Sequence, residues 1–242
     1  MTRALLAFAL KEEFAPWRRR HHFRRVAFSG HHLYSALLGK TEVYVGLTGA
    51  GAPLADEFEG VAARLVPDFA MITGVAAGLK PEWRPGDLLA AQTVLGTRGE
   101  APFPAASTLL ESAIQCGARQ APALVSLPRI ARTVEEKIRW SKVGDAADME
   151  SLPIIKRWSA RGIPTLALRV ILDPLETPLT CDFEAAMDAR GQVRIARVVA
   201  QLARHSQLLP DFLRLARQSR RVLKILAGFW DRFFELPNLR IK

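Results

Sequence analysis

Cysteine and long apolar runs are scarce in this sequence. Its 242 residues include only Cys116 and Cys181, which are too few and too far apart for a disulfide framework or a zinc site. No apolar run approaches the roughly 20 residues that a membrane-spanning helix needs. The short run at residues 4–10 has no small-residue cleavage pattern after it, which favours a first strand over a signal peptide. We therefore expect a cytoplasmic protein without a metal site.

Three common functional motifs are also absent or have little support. The sequence has no Gly-Lys-Ser/Thr phosphate loop, and no Gly-x-Gly-x-x-Gly follows its first predicted strand. A Ser-His-Asp triad has little support, because the histidines lie outside the motifs that contain the acidic residues. The histidines are His21, His22, His31, His32 and His205.

Positive charge is abundant. Lys and Arg total 34 against 24 Asp and Glu, which gives a net charge of +10, and hydrophobic residues make up 49% of the chain. The hydrophobic share is ordinary for a globular protein, and the length suits one well-buried core. The charge favours anionic partners such as nucleic acid, an anionic membrane or phosphorylated ligands, but it also simply keeps a protein soluble. Charge alone does not choose among these alternatives.

Apolar runs alternate with helical patterns along the chain. Strands are predicted at residues 4–10, 26–29, 33–38, 41–47, 69–73, 87–95, 123–127, 146–149 and 165–172, with a turn at Gly30. Helices are predicted at residues 54–65, 107–116, 134–140, 150–160, 193–205 and 210–234. This alternation predicts an α/β fold in which helices flank a central, mostly parallel twisted sheet. We predict a single domain over residues 1–205 and a helical C-terminal extension over residues 206–242.

Acidic residues follow three of the predicted strands. They are Glu12, Glu13, Asp148, Glu150 and Asp173. Residues 49–51 and 74–78 are rich in glycine and are predicted as loops after two further strands. Each acid alone has a local explanation as a helix-terminal or turn residue. Because ligands of open α/β sheets bind beyond the carboxyl ends of strands, the set together indicates one acidic pocket. Such carboxylates suit a reaction with an oxocarbenium-like transition state.

Four motifs resemble those of the nucleoside phosphorylase/nucleosidase superfamily, in the same order along residues 1 to about 180. Residues 69–79 with 85–88 resemble its glycine loop and following strand, and residues 148–151 resemble its Met-Glu ribose-binding signature. Residues 168–173 resemble its Arg-x-Ile-Ser-Asp motif. Residues 10–14 resemble the start of methylthioadenosine/S-adenosylhomocysteine nucleosidases. The resemblance implies cleavage of the bond between a purine base and ribose.

Within that superfamily, the chain is most similar to the hopanoid-associated phosphorylases. The similarity lies in residues 147–151, in Asp173-Pro followed by Pro178, and in residues 187–191 and 208–217. It implies release of adenine from adenosylhopane during hopanoid biosynthesis, by a homo-oligomer that needs no cofactor. Phosphate is the alternative co-substrate to water.

The superfamily resemblance also implies roles for individual residues. Asp173 would be the general acid that protonates the purine at N7, and Glu13 would orient or deprotonate water, or help to hold sugar or phosphate. Glu150 would bind the ribose hydroxyls while Met149 packs against the sugar. The residues expected to line the ribose and base are Thr48, Gly49, Gly51, Gly74, Val75 and Ala76.

Three departures from the superfamily pattern concern phosphate. Val75 stands where Ser or Thr is frequent, Ile72 lies near the position of a phosphate-binding Arg, and Leu172 replaces a Ser. Either other residues hold phosphate or the nucleophile is water. The candidates for phosphate binding are Arg18, Arg24, Arg25 and Arg129.

The predicted C-terminal helix is basic and amphipathic. Its apolar stripe comprises Phe212, Leu215, Val222, Leu226, Phe229 and Phe233, and its basic stripe comprises Arg214, Arg217, Arg221 and Lys224. The apolar stripe is expected to pack on the domain or on a second subunit. The alternative is that it rests on an anionic membrane surface.

Two other functions remain open at this point. One is the same chemistry on a soluble nucleoside such as methylthioadenosine, which a poorly apolar pocket mouth would favour. The other is a non-catalytic protein that binds nucleosides or nucleic acid. Nucleic acid is not the expected partner, because Glu13, Glu150 and Asp173 together would repel its phosphates.

Overall fold

Within residues 1–28 and 31–237, which the computed structural model describes, ten strands join one sheet. The strands are β1 (Thr2–Phe8), β2 (Arg24–Phe28), β3 (His31–Leu38), β4 (Thr41–Leu47), β5 (Phe69–Gly78), β6 (Leu88–Leu95), β7 (Phe103–Pro104), β8 (Arg119–Ser126), β9 (Ala146–Asp148) and β10 (Thr165–Asp173). The turn predicted at Gly30 and residues 238–242 of the predicted extension lie outside the described residues.

Helices cover both faces of this sheet. They are α1 (Lys11–Arg18), α2 (Ala55–Leu65), α3 (Ser107–Gln115), α4 (Val134–Ser141), α5 (Ser151–Ser159), α6 (Phe183–Ala186), α7 (Ile195–Arg204) and α8 (Leu209–Glu235). One buried cluster packs α1, α3 and α8 on one face, and a second packs α2 and α5 on the other. The predicted α/β fold with a C-terminal helix is therefore confirmed.

The sheet is mixed rather than mostly parallel. Five of the ten strand pairings among the described residues are antiparallel. Two of them arise because β2, β3 and β4 are successive neighbours at one edge of the sheet. Two others link β10 to β6 and β5 to β9, so that β5, β10, β6, β8 and β9 form a closed ring. Alternation of helices and strands does not reveal such closures, because the paired strands are distant in sequence.

The segment predicted as a glycine loop at residues 74–78 is the second half of β5. Strand β5 pairs in parallel with β10 as far as Ala77 and pairs with β9 at Ala77 and Gly78. Its small residues have weak strand propensity, but neighbours on both sides supply the missing hydrogen-bond partners and override that propensity. The prediction of a loop here is wrong, because these residues are paired strand that forms one wall of the cavity described below.

Helix α8 contributes its apolar stripe to the core. Val222, Leu226, Phe229 and Phe233 are buried in the cluster that packs α8 against the sheet. A stripe covered in this way is not free to lie on a membrane, so the membrane alternative for these residues is not supported. No helix of the described residues is long and apolar enough to cross a membrane.

Candidate active site

A cavity of about 410 Å³ opens at the carboxyl ends of β1 and β10, against the second half of β5. Glu13, Glu150 and Asp173 all line it, and each is at least 94% buried. Glu13 lies in the first turn of α1, Glu150 lies between β9 and α5, and Asp173 is the last residue of β10. Three segments that are distant in sequence thus bring their carboxylates into one cavity, as expected from their positions after strands.

The Asp173 carboxyl is buried at a local irregularity of β10. The pairing of β10 with β5 shifts register between Ile171 and Asp173, and such a bulge redirects the side chain that follows it. Burial raises the pKa of Asp173 to about 6, although the adjacent ammonium group of Lys137 opposes this rise. A carboxyl with this pKa is partly protonated near neutral pH, as a general acid must be.

Lys137 is a site residue that sequence reasoning missed. It lies on α4 with no exposed surface, and its Nζ is 2.5 Å from Oδ2 of Asp173. The same Nζ donates hydrogen bonds to the carbonyl oxygens of Pro174, at 2.9 Å, and Thr177, at 2.7 Å. The local sequence does not reveal this position, because the apolar residues beside it on α4, Val134 and Ile138, are half-buried and exposed. A lysine on the inward face of a helix requires a buried partner.

The Glu13 carboxylate is held by two backbone N–H groups. Its Oε1 accepts a hydrogen bond from Val75 N at 2.9 Å, and its Oε2 accepts one from Leu10 N at 3.0 Å. Burial raises the pKa of Glu13, while the hydrogen bond from Val75 and the charge of Arg169 oppose the rise. These contacts fix the carboxylate in position and leave it a proton acceptor of increased strength.

Arg169 on β10 is the buried cation among the acids. Its Nη2 lies 2.5 Å from Oδ2 of Asp148 and 3.5 Å from Oε2 of Glu150, and it donates to Oγ of Ser151 at 3.0 Å. Its Nε and Nη1 have no hydrogen-bond partner among the described residues. The motif at residues 168–173 contained Arg169, but sequence reasoning gave it no role. Both Nε and Nη1 are buried, and Arg169 does not line the cavity.

Gly74 makes room for the side chains of both Glu13 and Arg169. A Cβ atom at Gly74 would lie 2.6 Å from Oε1 of Glu13 and 2.9 Å from Nη1 of Arg169. Its φ of +143° is also a conformation that favours glycine. The Glu13 carboxylate and Nη1 of Arg169 therefore both lie close to the backbone of Gly74, and of these two side chains Glu13 also lines the cavity.

Glu150 and its neighbours form the next part of the cavity wall. Its Oε1 accepts a hydrogen bond from Gly51 N at 2.9 Å, and Met149 also lines the cavity. Burial raises the pKa of Glu150 to about 7, against the lowering effect of Arg169. Met149 Cε lies 3.6 Å from the position that a Cβ on Gly51 would occupy. The segment at residues 49–51 therefore supports Glu150 and Met149 from behind.

The remaining predicted residues fall into two groups. Val75 and Ala76 line the cavity, whereas Thr48 and Gly49 are buried and do not. The Thr48 hydroxyl donates to Phe8 O and Gly49 O, both at 3.3 Å. Gly49 packs against the backbone of Arg190, since a Cβ on Gly49 would lie 2.0 Å from the carbonyl oxygen of Arg190. Thr48 and Gly49 thus hold the loop in this structure, and their contact with a ligand stays a prediction.

One of the four arginines considered for phosphate binding lines the cavity. This is Arg129, which pairs with Glu136 at 3.1 Å, whereas Arg18, Arg24 and Arg25 do not line it. The Arg18 guanidinium lies over the ring of Tyr34, 5.2 Å from its centroid. Arg18, Arg24 and Arg25 therefore do not contribute to a phosphate site in this cavity.

The outer part of the cavity is apolar, which sequence reasoning did not anticipate. It is formed by α6, α7, α8 and the segments that flank them. Its apolar lining residues are Ile130, Leu172, Leu179, Phe183, Met187, Val193, Ile195, Phe212, Leu215 and Leu223. The acidic inner end and the apolar outer end together suit an amphipathic ligand.

Solved structures of nucleosidases share this fold. The Campylobacter jejuni 5′-methylthioadenosine/S-adenosyl homocysteine nucleosidase matches with a TM-score of 0.72 and 16% identity, over 96% of this chain and 98% of that one. The futalosine hydrolase of Helicobacter pylori matches with a TM-score of 0.72 and 14% identity, over 96% and 97%. A putative methylthioadenosine nucleosidase from Weissella paramesenteroides gives 0.70 and 16%, over 97% of both chains. At such identities the likeness establishes the fold alone.

Sequence comparison gives the family. No curated protein shows significant similarity to the chain. The sequence profile of the phosphorylase superfamily, however, matches residues 4–204, which extend from the third residue of β1 through β10 and contain Glu13, Glu150 and Asp173. This match covers well over half of the chain and agrees with the superfamily expected from the four motifs. The chain therefore belongs to the phosphorylase superfamily.

Proposed function

We propose that this protein hydrolyses the N-glycosidic bond of an adenine nucleoside that carries a large apolar 5′ substituent. The observation that carries the proposal is the position of a buried, protonatable Asp173 in the same cavity as Glu13 and Glu150, with the buried Arg169 beside Glu150. Methylthioadenosine nucleosidases and futalosine hydrolase, whose names state nucleoside cleavage, share the fold. Cleavage of this bond needs an acid for the leaving base and a second group for the nucleophile.

The proposed reaction uses Asp173 as the acid, Glu150 to bind the sugar and Glu13 as the base. Asp173 transfers its proton to N7 of the purine as the bond between C1′ and N9 breaks, and the electron pair of that bond leaves with the base. Glu150 accepts hydrogen bonds from the ribose hydroxyls and stabilises the positive charge that develops on the sugar. A water molecule oriented by Glu13 then bonds to C1′, and its proton passes to Glu13.

Water is favoured over phosphate as the nucleophile. The N–H of Val75, at the small-residue end of β5, is already occupied by the Glu13 carboxylate. A phosphate anion at this point would face that carboxylate in a buried setting, where like charges repel strongly. Of the four candidate arginines, only Arg129 lines the cavity, and it is paired with Glu136.

The apolar outer cavity supports a nucleoside with a hydrocarbon 5′ substituent. Burial of apolar surface contributes about 25 cal/mol per Å², so a large substituent gains several kcal/mol that a small one cannot. Adenosylhopane, the substrate that the resemblance to hopanoid-associated phosphorylases implies, has such a substituent. Methylthioadenosine is the second candidate, because structures with this fold include nucleosidases that are named for it.

The test is release of adenine from adenosylhopane and from methylthioadenosine, each with and without phosphate. Asp173→Asn should lower kcat by about 10²- to 10⁴-fold, because the leaving base loses its proton donor. Asp56→Asn, the same change at an 86% exposed side chain on α2, serves as the matched control and should retain activity.

Each outcome has a defined meaning. Adenine release without phosphate supports hydrolysis, and a preference for adenosylhopane supports the apolar 5′ substituent. Release that requires phosphate would overturn the choice of water. If folded protein releases adenine from neither substrate, the non-catalytic binding protein becomes the favoured function.

A further inference from the structure

We propose that Lys137 is the positioning residue of the general acid: its ammonium group orients the Asp173 carboxyl and controls when that carboxyl carries its proton. The inference rests on the proposed function of Asp173 and extends it to α4, a helix that none of the sequence motifs covers. Lys137 is among the largest fully buried side chains of the molecule.

Lys137 makes two hydrogen bonds and one ion pair. A lysine ammonium has three N–H donors, and three oxygen atoms surround this one. They are Oδ2 of Asp173 at 2.5 Å and the carbonyl oxygens of Pro174 and Thr177 at 2.9 and 2.7 Å. The two carbonyl groups satisfy hydrogen bonds but carry no net charge. Asp173 is therefore the group that neutralises a fully buried cation.

This arrangement couples Lys137 to the chemical step. Before the reaction, Asp173 must be protonated. Because a protonated carboxyl group is neutral, Lys137 then lacks its counter-ion. Once the proton moves to the leaving purine, Asp173 becomes anionic beside the ammonium group. Lys137 therefore stabilises the charge that develops during proton transfer more than it stabilises the starting state, which is the condition for a rate effect.

Other charged groups lie farther from the acid. Glu13 and Glu12 on α1, Asp148 and Glu150 beside β9, and Arg129 after β8 line the same cavity. Among the described residues, however, Lys137 is the charged side chain whose nitrogen comes within 4 Å of the Asp173 carboxylate. Opposition from Lys137 is also the leading influence that lowers the pKa of Asp173 against burial.

The first test compares Lys137→Gln with Lys137→Arg. The glutamine amide still donates to Pro174 O and Thr177 O but removes the charge, whereas arginine keeps the charge. For Lys137→Gln, the alkaline limb of the kcat/KM profile should move upward by about one pH unit. Its kcat should fall at least about tenfold with KM nearly unchanged. Lys137→Arg should retain the wild-type limb. An unmoved limb in Lys137→Gln would overturn the proposal.

A second readout does not depend on activity. Protein labelled with ¹³C at aspartate carboxyl groups is titrated by NMR, and the Asp173 signal is assigned by its loss in Asp173→Asn. Its midpoint should lie higher in Lys137→Gln than in the wild type, and equal midpoints would refute control by Lys137. This readout uses no substrate, so it tests Lys137 even if the protein releases no adenine. A failure of the proposed function is therefore distinguishable from a failure of this inference.

A stability cycle keeps the proposal testable if Lys137→Gln alone does not fold. Asp173→Asn leaves the buried Lys137 charge without a counter-ion and should lower Tm. Adding Lys137→Gln removes that charge, so the double variant should be more stable than Asp173→Asn. If adding Lys137→Gln lowers the Tm of Asp173→Asn further, the buried charge does not depend on Asp173 and the inference fails.

Discussion

Glu13, Glu150 and Asp173 have a common physical state: each carboxyl is buried, and burial is the main cause of its raised pKa. A buried carboxylate loses hydration that neighbouring charges only partly replace. Such groups are useful because they exchange protons near neutral pH. They also weaken the fold wherever they are ionised, so each site residue links activity to a loss of stability.

Glu150 provides a direct prediction of this loss. Its pKa of about 7 in the folded protein exceeds its ordinary value of 4.5, so the folded state binds the proton more tightly than the unfolded chain. Stability is therefore lost as pH rises from about 4.5 through 7. Glu150→Gln does not ionise and should be more stable than the wild type at pH 8, by up to about 3 kcal/mol. Urea unfolding at pH 5 and pH 8 measures the difference.

The control is Glu111→Gln, the same change at an exposed residue of α3. It should alter the free energy of unfolding little at either pH. The advantage of Glu150→Gln should shrink at pH 5, where the wild-type Glu150 is largely protonated. An advantage of equal size at both pH values would show that ionisation of Glu150 is not its cause.

At the scale of elements, the first half of β5 belongs to the core and its second half lines the cavity. Phe69 and Met71 face the cluster beneath α8, Ala70 and Ile72 face the cluster beneath α2 and α5, and the second half meets the cavity. Continuous apolar character of this kind is typical of a strand buried on both faces. The small residues that follow let Glu13 and Arg169 approach the strand.

Gly74→Ala should test this close approach. The added Cβ would meet Glu13 and Arg169 within 3 Å at a φ of +143°, so we expect a loss of stability of about 1–3 kcal/mol and a large fall in kcat. Gly60→Ala on α2 is the matched control, because a Cβ there has nothing within 4 Å. It should stabilise the protein by about 0.5–1 kcal/mol. Similar effects of the two substitutions on Tm and kcat would contradict the steric argument.

The sequence predicted the elements with strong local signals. The apolar strand at 165–172 and the helix at 54–65 lie within a residue or so of β10 and α2. It did not predict that β5 continues beyond Thr73, because Gly74 to Gly78 have no local strand signal and are held by β10 and β9. Nor did it predict α1 from Lys11, where Glu13 caps its own helix by accepting from Leu10 N.

The acidic residues of the site could be located because strand ends indicate them, but their cationic partners could not. Arg169 lies within a buried strand and Lys137 on a short helix, and each is recognisable only once its carboxylate partner is in place. The apolar outer cavity was missed for a similar reason. Its walls come from α6, α7 and α8, whose apolar residues have the periodicity of ordinary core helices.

At the scale of the whole molecule, α8 joins the core to the cavity. Phe212, Leu215 and Leu223 line the cavity, whereas Phe229 and Phe233 are buried beneath the sheet. The helix also packs on α1, which carries Glu13. A single 27-residue helix therefore encloses the outer cavity with one half and anchors itself in the core with the other.

Phe229→Ala should show how much the molecule depends on that anchor. Phe229 has no exposed surface, and its ring lies 5.6 Å from that of Phe233 and 5.1 Å from that of Trp230. Its truncation should lower the free energy of unfolding by about 3–5 kcal/mol, measured by urea denaturation. Lys224→Ala, at an exposed position of the same helix, should change it by less than about 0.5 kcal/mol. Equal effects would mean that α8 does not dock through this face, whereas the expected contrast would make α8 part of the folding core.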